Sequence, residues 1–295
     1  MGQYQPFFSI VIPTYHRPQQ LAACLQALTR LDYPRDRFEV IVVDDGGGTS
    51  LDDIVVQFRE SFYVTLLLHP HAGPASARNV GAATAKGDFL AFTADDCTPA
   101  AEWLNTLAAR FATRPDCAIG GNIINALLGH SCSTASHLLM MYLYTFYNVL
   151  PDAARFFTPN NLAVPTDRFR AIGGFDVSFV TATGEDREFC DRWTHTGHHM
   201  VYAPEVVVAH THPLTFHGFC RQHFNYGRGT YRYRMMQAQR ANRRMSLEPV
   251  LFYFNLLRYP LSMCQEKKNR LVMLLGISQV ANALGFSWES VVRHK

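Results

Sequence analysis

Two pairs of adjacent carboxylates and one histidine mark where this chain could do chemistry. The run Phe89-Leu-Ala-Phe-Thr-Ala ends in Asp95 and Asp96. Carboxylates held this close by the backbone repel, and the arrangement persists most easily with a cation between them and a phosphate-bearing ligand. A second pair, Glu185-Asp186, follows Gly184, and His210 ends the apolar run Val206-Val-Val-Ala209. A carboxylate able to take a proton, facing a metal-and-diphosphate site, is the equipment for attack on a diphosphate-linked donor.

The elements that must carry these residues alternate. Phe7 to Ile12, Phe38 to Val43, Tyr63 to Leu68 and Asp88 to Phe92 read as short strands, the first two nearly continuous apolar runs buried on both faces. Pro18 to Arg30, Leu51 to Glu60 and Pro74 to Ala85 read as the helices between them. The order predicts right-handed parallel crossovers with ligands at the carboxyl ends of the strands. Each polar cluster, Thr14 to Arg17, Asp44-Asp45 and Asp95-Asp96, falls at such an end. A helix is expected over Pro99 to Arg110, another over Arg187 to Thr194, and a strand around Asn160-Asn161-Leu162. No Gly-x-Gly-x-x-Gly follows the first strand and no P-loop is present, which argues against a dinucleotide dehydrogenase or an ATPase.

Five motifs in order carry a family resemblance: Phe8-Ser-Ile-Val-Ile-Pro-Thr-Tyr15, Val42-Val-Asp-Asp-Gly46, Gly73-Pro-Ala-Ser-Ala-Arg-Asn-Val-Gly81, Asp95-Asp96 and, later, Gly173-Gly-Phe-Asp176 with Gly184-Glu-Asp186. Residues 7 to 212 resemble family 2 glycosyltransferases, which are inverting enzymes with the GT-A fold. The resemblance implies an α/β domain over residues 1–214, with a mostly parallel nucleotide-binding sheet flanked by helices. It also implies metal-dependent transfer of a sugar from a nucleoside-diphosphate-sugar to a hydroxyl acceptor, in glycan, glycolipid or polysaccharide synthesis.

Residue by residue, the resemblance implies that Pro13, Thr14, Tyr15 and Arg17 line the nucleoside pocket. Asp45 would meet the base, with Asp44 able to share or swap that role. Asp95 would reach the ribose or the metal. Asp96 and His210 would hold Mg²⁺ or Mn²⁺; the family's Asp-x-Asp pattern has Ala94 at its first position here. Asp186 aligns with the general base and Glu185 is the close second. His212 shares a strand face with His210 by period-2 counting. Arg78, near the start of a helix, suits a phosphate because helix N-termini favour anions. Each residue also has an ordinary structural use: turn for Asp44-Asp45, exposed helix arginine for Arg78, helix-start acids for Glu185-Asp186, polar strand end for His210.

Beyond residue 214 the motifs stop, and residues 215–295 form a separate helical segment. Seven arginines and no Asp or Glu lie between 215 and 247, inside a chain of net charge only +3, which suggests an anionic partner for that block. Aromatics interleave with these arginines, a pattern suited to stacking on nucleic acid or to an anionic membrane surface, and with this family no nucleic acid is expected. Leu271 to Phe286 is sixteen uncharged residues, too short and polar for a membrane span and better suited to an interfacial helix. Peripheral contact at the inner face of the membrane is expected, with closure over the cleft or a dimer surface as alternatives. The seven dispersed cysteines and the start without a signal-peptide pattern suit a cytoplasmic protein. The acceptor class stays open between a sugar, a lipid-linked compound and a small molecule. A nucleotidyltransferase and a non-catalytic nucleotide-sugar-binding module are the competing functions.

Overall fold

The computed structural model describes residues 4–48, 50–179 and 183–293. Its strands β1 (Phe8–Thr14), β2 (Phe38–Asp44), β3 (Tyr63–Leu68) and β4 (Phe89–Phe92) lie side by side in parallel. β1, β2 and β4 are buried throughout, as apolar runs covered on both faces must be. Helices α1 (Pro18–Leu28), α2 (Asp52–Val55) and α3 (Pro74–Thr84) make the crossovers. Pro18 and Pro74 both stand in the first helical turn, where the missing N–H costs nothing. The helix expected over residues 51 to 60 is shorter. Its first turn passes into a 3₁₀ turn at Val56–Phe58, and Phe58 stacks on Phe62 with centroids 6.2 Å apart.

Past β4 the parallel pattern changes. The remaining elements are β5 (Cys97–Pro99), α4 (Trp103–Thr113), β6 (Ala118–Asn125), α5 (Ser131–Tyr147), β7 (Leu162–Pro165), α6 (Thr166–Ala171), α7 (Glu185–His195) and β8 (Met200–His210). All eight strands form one sheet of order β3-β2-β1-β4-β7-β6-β8-β5. β7 runs antiparallel to both its neighbours, β6 and β8 are parallel, and β5 pairs antiparallel with β8. The helix expected from Pro99 therefore begins at Trp103, because residues 97–99 are taken by this pairing. Likewise Asn160 and Asn161 form a 3₁₀ turn and the strand begins at Leu162. Asn161 is fully occupied there: its amide donates to the Asn122 and Val206 carbonyls and accepts from the Trp103 indole.

Three helices complete the chain: α8 (Phe216–Arg240), α9 (Val250–Met263) and α10 (Lys268–Arg293). Thr215 caps α8 by accepting from the Gly218 N–H. α8 and α10 touch backbone to backbone. A Cβ on Gly227 would lie 1.9 Å from the Asn282 carbonyl oxygen, and one on Gly285 would lie 1.9 Å from that of Phe224. The crossing buries Glu289, which pairs with Arg228 at 2.8 Å and Arg232 at 2.5 Å. Arg234 pairs with Glu248, and Arg240 with Glu188 and Asp191. Four of the seven block arginines thus neutralise the protein's own acids, which corrects the expectation that the block as a whole faces an anionic partner. The short apolar run also needs correction. It sits inside a helix whose Lys268–Val292 portion is long and apolar enough, by length and composition, to cross a membrane. Val250, Leu251 and Phe254 of α9 and Val280, Leu284 and Trp288 of α10 are all more than half exposed.

The close crossing makes a stability prediction. Gly227→Val should lower the free energy of unfolding by about 3 kcal/mol, the upper range for overpacking a filled interface. Gly276→Ala on α10, where nothing lies within 4 Å, should instead raise it by about 0.8 kcal/mol through helix propensity. Urea denaturation midpoints of the two variants check both signs.

Candidate active site

At the carboxyl edge of the sheet, strand register assembles a cluster from distant parts of the chain. Cys97 pairs with His210 across β5 and β8, and the Thr211 N–H donates to the Asp96 carbonyl. Asp96 consequently faces the end of β8. Its Oδ1 lies 3.1 Å from His210 Nε2 and its Oδ2 lies 3.4 Å from His212 Nδ1. The two imidazoles stack with centroids 5.2 Å apart and planes 8° apart. One ligand atom from each of the three residues lies within 4.8 Å of the others. One carboxylate and two imidazoles, gathered around a single point, fit a divalent ion of borderline softness.

The ring orientation of His212 is fixed from behind. Its Nε2 lies 2.8 Å from Gln222 Oε1, which can only accept, so Nε2 carries a proton and Nδ1 is the nitrogen turned toward Asp96. Gln222 in turn donates to Ser136 Oγ. Support of this kind orients a metal-binding histidine. Sequence reading left His212 beside His210 without a role. Gln222 and Ser136 carried no signal at all, since their use depends on α8 and α5 meeting at this edge.

Asp95 and Asp96 are pulled apart in acidity. Burial raises the Asp95 carboxyl above the ordinary range, against the lowering influence of Arg17. Burial acts the same way on Asp96, but hydrogen bonds from His210 and His212 together with Arg17 outweigh it and hold that group far below the usual carboxylate range. The Arg17 guanidinium bridges the pair, 3.2 Å from Asp95 and 3.1 Å from Asp96, while Thr14 Oγ1 donates to Asp95 at 2.8 Å.

These residues open into a cleft of about 870 Å³ whose walls include Pro13, Thr14, Tyr15, Arg17, Asp45, Arg78, Asp95, Asp96, His210 and the pair Glu185-Asp186. Asp44 is not among its walls. That carboxylate accepts from the Gly47 N–H at 2.8 Å and closes its own turn. Asp45 accepts from the Ala72 and Gly73 N–H groups and from His71. The His71 ring stacks on Tyr15 at 4.2 Å, a planar partner that sequence alone did not suggest.

α7 begins at Glu185 and brings the second acidic pair to the same cleft. Glu185 is 4% exposed and accepts from Arg78 at 3.2 Å, and its other carboxylate oxygen has no partner among the described residues. Burial, reinforced by the Asp186 charge, raises its pKa well above an ordinary glutamate's. Arg78 is buried in this pair and packs over Phe175, so its guanidinium meets the second acidic pair rather than standing free at a helix start. Asp186 is half-buried and, among the described residues, takes one hydrogen bond, from the Arg187 N–H. Burial raises its pKa too.

Comparison with known proteins bears on this arrangement. The Glycosyl transferase family 2 model matches residues 9–172 and the Glycosyl transferase family group 2 model matches 94–289. Glycosyltransferase AglE of Haloferax volcanii is 26% identical over 231 residues, covering 76% of this chain and 73% of that protein. The pre-mycofactocin glycosyltransferase of Mycobacterium tuberculosis is 31% identical over 211 residues, 69% of this chain but 42% of its own length. Among solved structures, the Pyrobaculum calidifontis mannosyltransferase PcManGT, in complex with GDP-Man and Mn²⁺, superposes with a TM-score of 0.63 at 17% identity, covering 95% of this chain and 76% of that one. Residues 1–349 of S. aureus TarS, in complex with UDP-GlcNAc, give 0.60 at 16% identity, covering 98% and 92%. The fold is that of these GT-A proteins.

The support behind His212 is testable directly. By calorimetric titration with Mn²⁺, His212→Ala and Gln222→Leu should each weaken binding by about tenfold or more, Gln222→Leu acting through ring orientation alone. Unchanged affinity in both variants would remove His212 from the cluster.

Proposed function

This chain belongs to glycosyl transferase family 2, and we propose that it moves a sugar from a nucleoside-diphosphate-sugar to a hydroxyl acceptor with inversion at the anomeric carbon. One observation carries the reading: a carboxylate–imidazole cluster and an acidic pair occupy the walls of one cleft at the carboxyl edge of the sheet. Family membership decides against the nucleotidyltransferase alternative.

On this reading Tyr15 and His71 offer a flat surface to the base, Asp45 closes that end of the pocket, and Thr14 and Asp95 face the ribose. Pro13 shapes the wall. Arg17, now bridging the two aspartates, turns toward the donor's phosphates. Asp96, His210 and His212 would hold the divalent ion, and the two imidazole nitrogens favour Mn²⁺ over Mg²⁺, which prefers oxygen ligands throughout. Such an ion, when bound, neutralises the charge that builds on the diphosphate. Asp186 takes the proton of the acceptor hydroxyl. The acceptor oxygen attacks the anomeric carbon from the face opposite the diphosphate, a new C–O bond forms, and the bond to the phosphate oxygen breaks. Glu185, locked to Arg78, orients this wall and is the alternative base.

The exposed apolar faces of α9 and α10, edged by Lys267 and Arg270, support a peripheral position against an anionic membrane on the cytoplasmic side. The pairing of Glu289 with two α8 arginines supports a helix lying along the protein over one that leaves it to span the bilayer.

A thermal-shift screen of UDP-, GDP- and dTDP-sugars with and without Mn²⁺ should show one donor that stabilises the protein only with the metal. Asp186→Asn should keep that shift and lose about 10²- to 10⁴-fold in transfer rate, whereas Asp96→Ala should lose the metal-dependent shift. A full shift in Asp96→Ala would overturn the donor site.

A further inference from the structure

The cleft changes character along its length. α5 runs beside it, and at its N-terminal end Ser133 Oγ donates to the His212 carbonyl, in the polar part of the cleft. Fourteen residues later on the same helix comes Tyr147, roughly 21 Å away at 1.5 Å per residue. Around that far end the walls are Leu139, Met140 and Leu143 of α5, Phe156, and Phe252 and Tyr253 of α9. A nucleoside diphosphate anchored at Asp96 has no use for an apolar channel on this side.

Two arginines reach that end: Arg234, which is paired with Glu248, and Arg187. The Arg187 guanidinium lies over three rings, 5.0 Å from the Tyr147 centroid, 5.1 Å from Phe156 and 5.8 Å from Tyr233. Among the described residues no carboxylate pairs with it. Glu248, which also lines this end, is taken by Arg234 and Tyr147. The rings fix the guanidinium plane without satisfying its donors, so its strongest remaining partner is an anion, and a phosphate matches its fork best. Arg187 is the immediate neighbour of Asp186.

Building on the transferase reading, we infer that the acceptor is a phosphate-headed amphiphile: its hydroxyl meets Asp186, its phosphate lies on Arg187, and its hydrocarbon chain follows the apolar wall toward α9. Leu251 and Phe254, which flank the channel residues Phe252 and Tyr253 on α9, are both more than half exposed, so a chain passing this end of the cleft would leave it beside the face expected to touch lipid.

The test uses the full chain and dodecyl phosphate, below its micellar concentration, as probe in calorimetry. Wild type should bind one equivalent, with dodecyl maltoside and inorganic phosphate each at least tenfold weaker. Arg187→Gln and Tyr253→Asp should each lose at least tenfold, Arg187→Lys should keep most of the affinity, and Val280→Glu on the outer face of α10 should bind as wild type does. Equal binding by wild type and Arg187→Gln would overturn the inference. So would inorganic phosphate binding as tightly as dodecyl phosphate, or Val280→Glu losing as much as Tyr253→Asp. UDP with Mn²⁺, titrated into every variant, separates the two readings. Its retention shows that the variants are folded, and its failure in wild type strikes the donor site while leaving the amphiphile result standing.

Discussion

Three backbone pairs between β5 and the end of β8 decide whether this site exists. Asp96 lies in sequence more than a hundred residues before His210, and nothing local draws them together. The antiparallel register that sets Cys97 opposite His210 does. It also explains why the residues after Asp96 form a strand although their composition suits a helix start: ladder hydrogen bonds to a long partner strand outweigh weak local preference. Sliding this pairing by one residue would turn His210 to the other face of the sheet and dissolve the cluster.

Given that register, the electrostatics follow. Two adjacent aspartates at a strand exit would repel if both were left ionised in a buried place. The protein separates them by environment, imidazoles and Arg17 favouring charge on Asp96 while burial disfavours it on Asp95. The second acidic pair is treated similarly, with Glu185 sealed against Arg78 and Asp186 turned to the cleft. In both doublets the two neighbouring carboxylates are given different partners, so they do not share one environment.

Much of this was legible in the chain itself. The four parallel strands, their helices and the position of each polar cluster at a strand end follow from apolar runs broken by Pro, Gly and Asp. Asp96 and His210 could be picked out because they end such runs, and Asp186 because Gly184-Glu-Asp186 carries the family resemblance. What could not be read was anything requiring two distant elements to meet. Asp44 and Asp45 look interchangeable in sequence, yet one caps its own turn and the other gathers the amides before α3. Arg78 looks like an exposed helix residue until Glu185 is brought against it. The arginines of α8 look like a surface charge block, but Glu188, Asp191, Glu248 and Glu289 wait for four of them from other parts of the fold. The apolar reach of α5 carried no hint of a channel because a helix apolar on most of its faces signals only burial.

α8 also presses against the approach to α7. A Cβ on Gly229 would fall 2.3 Å from the Thr183 carbonyl oxygen, and one on Gly184 would fall 2.9 Å from that of Gly229. Arg232 reaches the Ser178 carbonyl nearby, and Arg240 grips Glu188 and Asp191 further along. The peptide that delivers Glu185 and Asp186 thus has the last third of the chain as its back wall. Modularity ends there. Cutting the protein after β8 would strip the α8 wall from the peptide that carries these two acids and leave it only its contacts with Arg78 and the sheet-side core. Grafting a different tail in its place would require a glycine at the point of contact.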